Sequence, residues 1–243
     1  MALPSDDDVS VPHDDNADLE LRSYGRRRGR KFSPRQARLM AELLPRIAPP
    51  LSTPPPADLA QAMFGPGITD VWLEIGFGGG EHLIWQARNN LTTGLIGAEP
   101  FEDGVVKVLA AIEEQALGNI RIHAEDARDL LRWLPVASIG RAFILFPDPW
   151  PKRRHVKRRL INSQLLGQLA RVMRPGAELR IATDIGDYAR TILMAFQGAD
   201  AFRWTAEGPA DWRRQPADWP ATRYQEKARR EGRACSFLRF QRR

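Results

Sequence analysis

From residue 71 onward, short apolar runs alternate with longer amphipathic stretches, and this alternation constrains the fold more than any other feature. Regular alternation of strands and helices is typical of βαβ units that build a mostly parallel sheet. The predicted strands span residues 71–76, 94–99, 120–124, 141–146, 178–183, 202–205 and 236–241. The predicted helices between them span residues 80–90, 102–117, 127–133, 157–174 and 188–196. The chain is therefore predicted to be an α/β protein whose last two strands form a hairpin-like edge.

A glycine-rich loop directly follows the first predicted strand. Residues 76–80 read Gly-Phe-Gly-Gly-Gly and open a predicted helix. Glycines at such a turn let the backbone pass close to a ligand, and the free amides at the helix start point towards it. The dinucleotide fingerprint requires glycine where this chain has Glu81, and the Gly-Lys-Ser/Thr of a phosphate-binding loop is absent from the sequence. Gly76 and Gly78 are therefore predicted to contact a small molecule of another kind.

Four acidic residues lie in or shortly after the first four predicted strands: Glu74, Glu99, Asp126 and Asp148. Because the carboxyl ends of parallel strands meet at one edge of a sheet, we expect these side chains to cluster there. Four carboxylates would repel a pyrophosphate, but they suit an uncharged ribose, an adenine and a cationic sulfonium. Glu99 is placed to accept from ribose hydroxyls, and Asp126 from the adenine amine. The predicted cofactor is S-adenosylmethionine, and the alternative is that such acids only cap helices.

The most distinctive segment is residues 146–159, in which an acid between two prolines is followed by a basic run. The prolines on both sides of Asp148 restrict the backbone, so its carboxylate is held stiffly at the end of a strand. Six of the eight residues from 152 to 159 are Lys or Arg, which offers a landing surface for a polyanion. Two simpler interpretations stay open: a turn aspartate without a chemical role, and a basic run that is only a solvated face.

The charge distribution favours an acidic partner. The chain of 243 residues has a formal charge of +6, with seven acids and no base at residues 6–20 and eight bases and no acid at residues 22–38. Blocks of like charge are either solvated tails or interaction arms. We predict a disordered acidic tail over residues 1–21, a basic arm, helix and proline-rich connector over 22–57, and the main domain over 58–243.

Several classes of site are excluded by the residue types present. One cysteine, Cys235, cannot form an intramolecular disulfide or a cysteine-based zinc site. The spacing of His13, His82 and His123 suggests no metal site, so no metal is predicted. The chain shows neither a signal-peptide pattern nor an apolar run long enough to span a membrane, which predicts a cytoplasmic protein without a membrane partner. A monomer and a homodimer both stay open.

Taken together, several segments make the chain resemble the bacterial tRNA (guanine-N7-)-methyltransferase family. They are Gly-Arg-x-x-Gly-Arg at residues 25–30, Ser-Pro-Arg-Gln at 33–36, Leu-Glu-Ile-Gly-Phe-Gly at 73–78, Phe-Pro-Asp-Pro-Trp-Pro-Lys at 146–152, Ala-Thr-Asp at 182–184 and Thr-Arg-Tyr at 222–224. The resemblance implies a Rossmann-like class I methyltransferase, with a seven-stranded, mostly parallel sheet and helices on both faces. It also implies S-adenosylmethionine as cofactor, tRNA as partner, and methyl transfer to N7 of the guanine at position 46 of the variable loop.

The resemblance also implies roles for particular residues. Cofactor contacts carry over to Glu74, Glu99, Asp126 and Asp148. Substrate contacts carry over to Lys152, Asp184, Thr222, Arg223, Tyr224 and Gln225. The chain departs from the family at Gln225, where glutamate is usual: either Gln225 suffices, the neighbouring Glu226 takes that role, or guanine recognition is weakened.

Asp148 is the predicted catalytic residue, acting through charge and positioning instead of as a base. Guanine N7 has a free lone pair, so its alkylation requires no proton removal, but it leaves positive charge on the base that a nearby carboxylate stabilises. Two rival functions fit the same residues. One is an amino-group methyltransferase acting on rRNA, DNA or protein, and the other is a non-catalytic RNA-binding protein that has kept the fold.

Overall fold

A computed structural model describes residues 27–29 and 31–243, and this part of the chain contains a seven-stranded sheet. The strands are β1 (Asp70–Ile75), β2 (Thr93–Ala98), β3 (Ile120–His123), β4 (Ile139–Leu145), β5 (Met173–Thr183), β6 (Phe202–Trp204) and β7 (Ser236–Arg242). All seven predicted strands are confirmed. β5 begins earlier than predicted because Met173 pairs with Ile139, before a register shift that brings Glu178 opposite Arg141. The predicted acidic tail at residues 1–21 lies outside the described residues.

The strand order is β3-β2-β1-β4-β5-β7-β6, and the first five strands are parallel. β7 runs antiparallel to both β5 and β6, which confirms the hairpin-like edge. Ile75 pairs with Ala98 on one side and with Ile144 on the other, so β1, β2 and β4 end nearly level. The strand order reverses at β1, and open α/β sheets bind ligands in the crevice beyond the carboxyl ends at such a point.

The helices cover both faces of the sheet. They are α1 (Pro34–Arg38), a π-helical turn (Leu39–Leu43), α2 (Leu44–Ile47), α3 (Leu59–Phe64), α4 (Glu81–Asn89), α5 (Glu102–Gln115), α6 (Ala127–Trp133), a 3-10 helix (Arg153–Arg158), α7 (Ser163–Val172), α8 (Gly186–Gln197), α9 (Ala210–Arg213) and α10 (Arg223–Arg230). One predicted helix, at residues 157–174, is wrong in its first part. The Asn162 side chain accepts from the Leu165 amide and caps α7, so the helix begins there.

Two buried clusters, one on each face, hold the layers together. Leu73 and Ile144 belong to the first cluster, which also contains residues of α3, α6, α7 and α8. Trp72 and Phe143 belong to the second, which contains residues of α4 and α5 together with the buried Leu39 of the π-helical turn. Neighbouring residues of one strand point to opposite faces, so each central strand contributes to both clusters. This arrangement leaves the sheet's carboxyl edge free to form a site.

The N-terminal helical segment is docked by the buried Leu39 and by surface charges. Ser33 and Gln36 form a capping box at the start of α1, within the segment where a helix was predicted. Arg35 and Arg38 then pair with Glu113 of α5 at 3.0 Å and 2.5 Å. The connector at residues 48–57 is not uniformly extended, because the Thr53 amide bonds to the Pro50 carbonyl and closes a turn. In the part of the chain that the structure describes, no helix is long and apolar enough to cross a bilayer.

Candidate active site

A cavity of about 390 Å³ opens at the carboxyl ends of β1, β2 and β4. Its wall is formed by the glycine loop at residues 76–80, the start of α6, residues 145–150, part of α7 and Tyr224 of α10. Small-molecule sites usually have volumes of roughly 300–1,000 Å³. The cavity lies where the strand order reverses, so its place and size both fit a cofactor site.

The glycine loop lies against the start of α5 at a distance that excludes side chains. Gly76 and Gly78 have positive φ angles of 75° and 55°, which side chains rarely adopt. A Cβ added to Gly104 of α5 would lie 2.1 Å from the Gly78 carbonyl oxygen. Glu99, at the end of β2, accepts from the Gly78 amide at 2.8 Å and from the Phe101 amide at 2.9 Å. These bonds fix the loop to the strand end.

Two carboxylates face the same cavity and affect each other. Burial raises the pKa of Glu99, the hydrogen bonds from Phe101 and Gly78 oppose this rise, and the charge of Asp148 adds to it. Desolvation also raises the pKa of Asp148, although that side chain reaches solvent at the cavity mouth. Both shifts mean that negative charge is disfavoured here without a positive partner. A cationic group placed beside Glu99 and Asp148 would relieve this cost, while Arg128, Arg158 and Arg159 also line the cavity.

The backbone around Asp148 is held in an uncommon conformation. Phe146 and Trp150 both have positive φ angles, 52° and 42°, and they flank the Pro-Asp-Pro sequence. Bulky side chains seldom adopt this region, and such strain is found at functional sites when the surroundings enforce it. The Phe146 amide donates to the Ala182 carbonyl at 2.8 Å, and Arg159 Nε donates to the Pro149 carbonyl at 3.0 Å. The two prolines and these long-range hydrogen bonds therefore restrict the backbone around Asp148 together.

Asp126 lines the cavity and is also a helix cap. Its Oδ1 accepts from the Arg128 amide at the start of α6. The same carboxylate forms a two-pronged ion pair with the Arg128 side chain, with N–O distances of 2.8 Å and 2.6 Å. Asp126 thus caps a helix, as in the alternative interpretation, and it also lies at the cavity, as predicted. Arg128, which the sequence analysis did not single out, also lines the cavity.

Glu74 does not line the cavity. Its Oε2 lies 2.7 Å from Nδ1 of His82 on α4, and both side chains are buried. His82 Nε2 lies 3.0 Å from the Gln86 amide nitrogen, which makes a buried polar chain beneath the glycine loop. The other five predicted cofactor residues line the cavity: Gly76, Gly78, Glu99, Asp126 and Asp148. Direct cofactor contact by Glu74 stays a prediction.

Helix α10 places part of the predicted substrate segment over the glycine loop. Thr222 caps the helix by accepting from the Gln225 amide. A Cβ added to Gly78 would lie 3.2 Å from the Tyr224 ring, and Arg223 Nε lies 3.7 Å from Glu81 Oε1. Tyr224 therefore contributes to the cavity wall, as expected for a segment that closes over the cleft.

Gln225 lies at the position where the family usually has glutamate, and its amide has a partner within the chain. Its Nε2 donates to Gln215 Oε1 at 2.6 Å, while the adjacent Glu226 is exposed. Among the described residues, Gln225 Oε1 is buried without a hydrogen-bond partner. A hydrogen-bond acceptor is thus available on Gln225 itself, without involvement of Glu226.

Lys152 and Asp184 do not line the cavity. Lys152 is exposed in the segment that follows Trp150. Asp184, after β5, pairs with Arg233 at 2.8 Å and ties β5 to the chain beyond α10. Their predicted substrate contacts stay predictions.

The sequence did not predict several other residues of the cavity wall, among them Arg158, Arg159 and Gln168. Arg158 lies over the Trp150 ring at 5.1 Å, and Gln168 of α7 is a half-buried wall residue. In the described part of the chain, Gln168 Oε1 lacks a hydrogen-bond partner. The sequence holds no signal for Gln168, because α7 reads as an ordinary amphipathic helix. The basic run did include Arg158, but as part of a surface and not of a cavity.

The residues at the cavity fit S-adenosylmethionine. Glu99 keeps lone pairs beyond its two backbone bonds and can accept from ribose hydroxyls. Asp126 lies at the neighbouring strand end, and Asp148 adds a carboxylate that favours a cationic group. No cluster of histidine, cysteine and acidic side chains suited to a metal ion occurs among residues 27–29 and 31–243.

Comparisons with known proteins agree with this geometry. Residues 69–238 match a family model described as "Putative methyltransferase". The chain is 48% identical over 225 residues to a tRNA (guanine-N(7)-)-methyltransferase of Ruegeria sp. (strain TM1040), which covers 90% of this chain and 87% of that protein. A protein of the same description from Rhodopseudomonas palustris (strain BisB18) is 47% identical over 242 residues, covering 100% of this chain and 94% of the relative.

Solved structures share the fold at lower sequence identity. The 16S rRNA methyltransferase KamB aligns with a TM-score of 0.52 at 16% identity, over 78% of this chain and 95% of that one. A structure titled as an antibiotic related methyltransferase aligns with a TM-score of 0.50 at 18% identity, over 75% and 92%. At these identities the similarity shows the Rossmann-like fold alone.

Proposed function

The chain belongs to the tRNA (guanine-N(7)-)-methyltransferase family, and we propose that it transfers a methyl group from S-adenosylmethionine to N7 of a guanine in tRNA. The observation that carries the proposal is the continuity of two surfaces at Asp148. This residue lines the cavity, and the exposed cations of residues 152–157 begin four positions later. Cofactor site and nucleic-acid surface are thus joined by one short loop.

The chemistry requires little proton transfer from the protein. S-adenosylmethionine supplies an activated methyl group on a sulfonium, and guanine N7 is a free lone pair at neutral pH. The protein has to hold the guanine in line with that methyl group, and well-oriented reactants gain roughly up to 7–11 kcal/mol. The fixed loop around Asp148 and the cavity wall at Tyr224 are placed for that purpose.

Asp148 is proposed to stabilise the positive charge that alkylation leaves on the guanine. A fixed carboxylate in a partly desolvated site stabilises developing charge more strongly than water does. The carboxylate has to be ionised for this role, and its raised pKa sets the lower pH limit of activity above that of an ordinary aspartate. Asp148 thus acts as an electrostatic and positioning group without serving as a base.

The basic segment, defined here as residues 152–157, is proposed to bind the tRNA backbone. Lys152, Arg153, Arg154 and Lys157 are all exposed. Desolvation and the charges of Arg158, Arg154 and Lys152 lower the pKa of His155, so this residue adds no cation at neutral pH. Exposed cations that bind phosphates release counterions, which makes the affinity dependent on salt.

Two finer statements are part of the same proposal. By the resemblance of the motifs, the target is the guanine at position 46 of the tRNA variable loop. By the nature of the substrate, the enzyme acts in the cytoplasm. Mapping the modified guanine tests the position, and cell fractionation tests the location. Neither test depends on the chemistry of methyl transfer.

The experiment that tests the function uses labelled S-adenosylmethionine and unmodified total tRNA. The expected product after nuclease digestion is N7-methylguanosine, and aniline cleavage of the intact tRNA locates the modified position. A methylated amino group in place of N7-methylguanosine would support the amino-group rival. Absence of cofactor binding would instead support the non-catalytic RNA-binding protein.

A further inference from the structure

Arg159 differs from every other cation in the basic run. Its residue exposure is 3%, whereas the four cations of the basic segment are exposed. Its Nε donates to the Pro149 carbonyl at 3.0 Å, and one terminal nitrogen pairs with Asp187 at 2.5 Å. The other terminal nitrogen donates to the Thr191 hydroxyl. Every side of this guanidinium therefore has a partner within the protein.

This burial changes how the charge can be used. A buried guanidinium is stable only when its charge and its donors are satisfied, and its planar fork fixes the directions of its partners. Arg159 also lies over the Tyr188 ring at 4.8 Å. Its hydrogen bond holds the pKa of Asp187 below the usual value. Arg159 is thus unavailable to a tRNA phosphate. It therefore does not belong to the expected phosphate-binding surface.

The partners of Arg159 join two parts of the site that are distant in sequence. Pro149 directly follows Asp148, in the loop that has an uncommon positive φ angle at each end, at Phe146 and Trp150. Asp187 and Thr191 belong to α8, which begins shortly after the end of β5. Proline has no amide hydrogen, so the loop cannot be secured through donors at Pro147 or Pro149. The Pro149 carbonyl instead accepts a hydrogen bond from Arg159, a side chain outside the loop.

We propose that Arg159 is a positioning residue for the reaction: it holds the Pro149 carbonyl to α8 and thereby fixes the Asp148 carboxylate at the cavity. The inference rests on the proposed role of Asp148 in methyl transfer. Arg159 is one of the residues around the cavity, but its three guanidinium nitrogens already donate to Pro149, Thr191 and Asp187. We therefore expect its effect on turnover to pass through Asp148. Asp187 and Thr191 complete the clamp, defined as these two residues with Arg159.

The first experiment compares Arg159→Lys with Arg88→Lys in the full chain. Lysine keeps the charge at both positions but lacks the fork that reaches three partners. We expect the single-turnover methylation rate of Arg159→Lys to fall about 10²-fold, as for a misplacement of about 1 Å, while tRNA affinity changes by less than about twofold. Arg88→Lys should keep both values, because Arg88 is exposed on α4, outside both the cavity and the basic segment. Weaker tRNA binding by Arg159→Lys with an unchanged rate would overturn the proposal.

A double-mutant cycle separates positioning from general damage to the fold. Arg159→Lys is combined with Asp148→Asn, and the loss caused by Arg159→Lys is measured in both backgrounds. If Arg159 acts through Asp148, the loss should shrink to about twofold or less once Asp148 is replaced. An equal loss in both backgrounds would show a structural role and overturn the proposal. Asp187→Asn, which leaves Arg159 in place, should give the same pattern with a smaller loss.

Amide hydrogen exchange gives a readout that does not depend on activity. In Arg159→Lys the Phe146 amide, which donates to the Ala182 carbonyl, should exchange about tenfold faster, with little change in the β4 strand. Arg88→Lys should leave this rate unchanged. Unchanged exchange in Arg159→Lys would overturn the clamp even in an active enzyme. Faster exchange in a protein that methylates no tRNA would preserve the clamp and reject the proposed function instead.

Discussion

The carboxylates of the cavity are held in fixed positions, whereas the cations of the basic segment are not. In the cavity, Glu99 accepts from two backbone amides and Asp126 is clasped by Arg128. In the basic segment, Lys152, Arg153 and Arg154 extend into solvent. Attraction of a polyanion works through long-range charge and tolerates mobile side chains, whereas aligning a nucleophile requires fixed groups. The difference indicates that rate is determined in the cavity and affinity at the segment.

The largest expected effect breaks the cavity side of this comparison. Asp148→Ala should lower the single-turnover methylation rate by roughly 10²–10³-fold, as does removing one electrostatic stabiliser of a transition state. The tRNA dissociation constant should change by less than about twofold, because Asp148 does not belong to the basic segment. Asp200→Ala, at an exposed acid of another surface, is the matched control. Unchanged turnover of Asp148→Ala would remove its assigned role.

The next largest effect tests the role of the basic segment in binding tRNA. Replacing Lys152, Arg153 and Arg154 with Gln should weaken tRNA binding by about tenfold at moderate salt. The slope of log affinity against log salt should fall by roughly 0.7–0.9 for each phosphate that the segment no longer neutralises. Binding is measured by filter retention over a range of salt concentrations. Arg88→Gln, an exposed cation on α4, serves as control, and an unaltered slope in the triple variant would leave the segment as a solvated face.

A third effect concerns how the cavity is built. Glu99→Gln keeps the size of the side chain but leaves one acceptor for two backbone amides, since the amide nitrogen would face an N–H donor. We expect S-adenosylmethionine to bind about tenfold more weakly, because a hydrogen bond to a charged group contributes roughly 1.5–3 kcal/mol. Isothermal titration with Glu207→Gln as control checks this. Equal affinity of both variants would contradict the role of Glu99.

The smallest effect concerns stability and pH. Because the folded protein raises the pKa of Asp148 above 3.8, its ionised form disfavours folding at neutral pH. Asp148→Asn should therefore melt at an equal or slightly higher temperature at pH 7. The difference should vanish below the ordinary aspartate pKa of about 4, where both side chains are uncharged. A variant that is less stable at pH 7 and equally stable in acid would reverse the sign.

The strands and the cavity wall could be predicted from sequence because their signals are local. The apolar runs indicated all seven strands, and the glycine loop indicated the place of the site. The helix predicted at residues 157–174 failed in its first part because Arg159 is buried by partners 28 and 32 residues away. Pairings of that kind depend on the packing of α8 and leave no periodic pattern in the sequence.

The substrate segment shows a second limit of sequence reasoning. Residues 223–230 are almost entirely polar, so no apolar periodicity predicts α10. The helix forms because Thr222 caps it and Ala228 packs into the protein. Motif resemblance nevertheless assigned a substrate contact to Tyr224, which lines the cavity; the contact itself stays a prediction. In contrast, the sequence did not predict the buried pair of Glu74 with His82, because the two residues belong to different predicted elements, a strand and a helix.

The most direct test of the division between cavity and segment is a double-mutant cycle on kcat/KM for tRNA methylation. Asp148→Asn is combined with the triple replacement of Lys152, Arg153 and Arg154 by Gln, and all four proteins are assayed on one tRNA at one salt concentration. If rate and affinity are determined separately, the two losses multiply to within about a factor of two. A combined loss that equals the larger single loss would show that the two regions act as one unit, and would contradict this division.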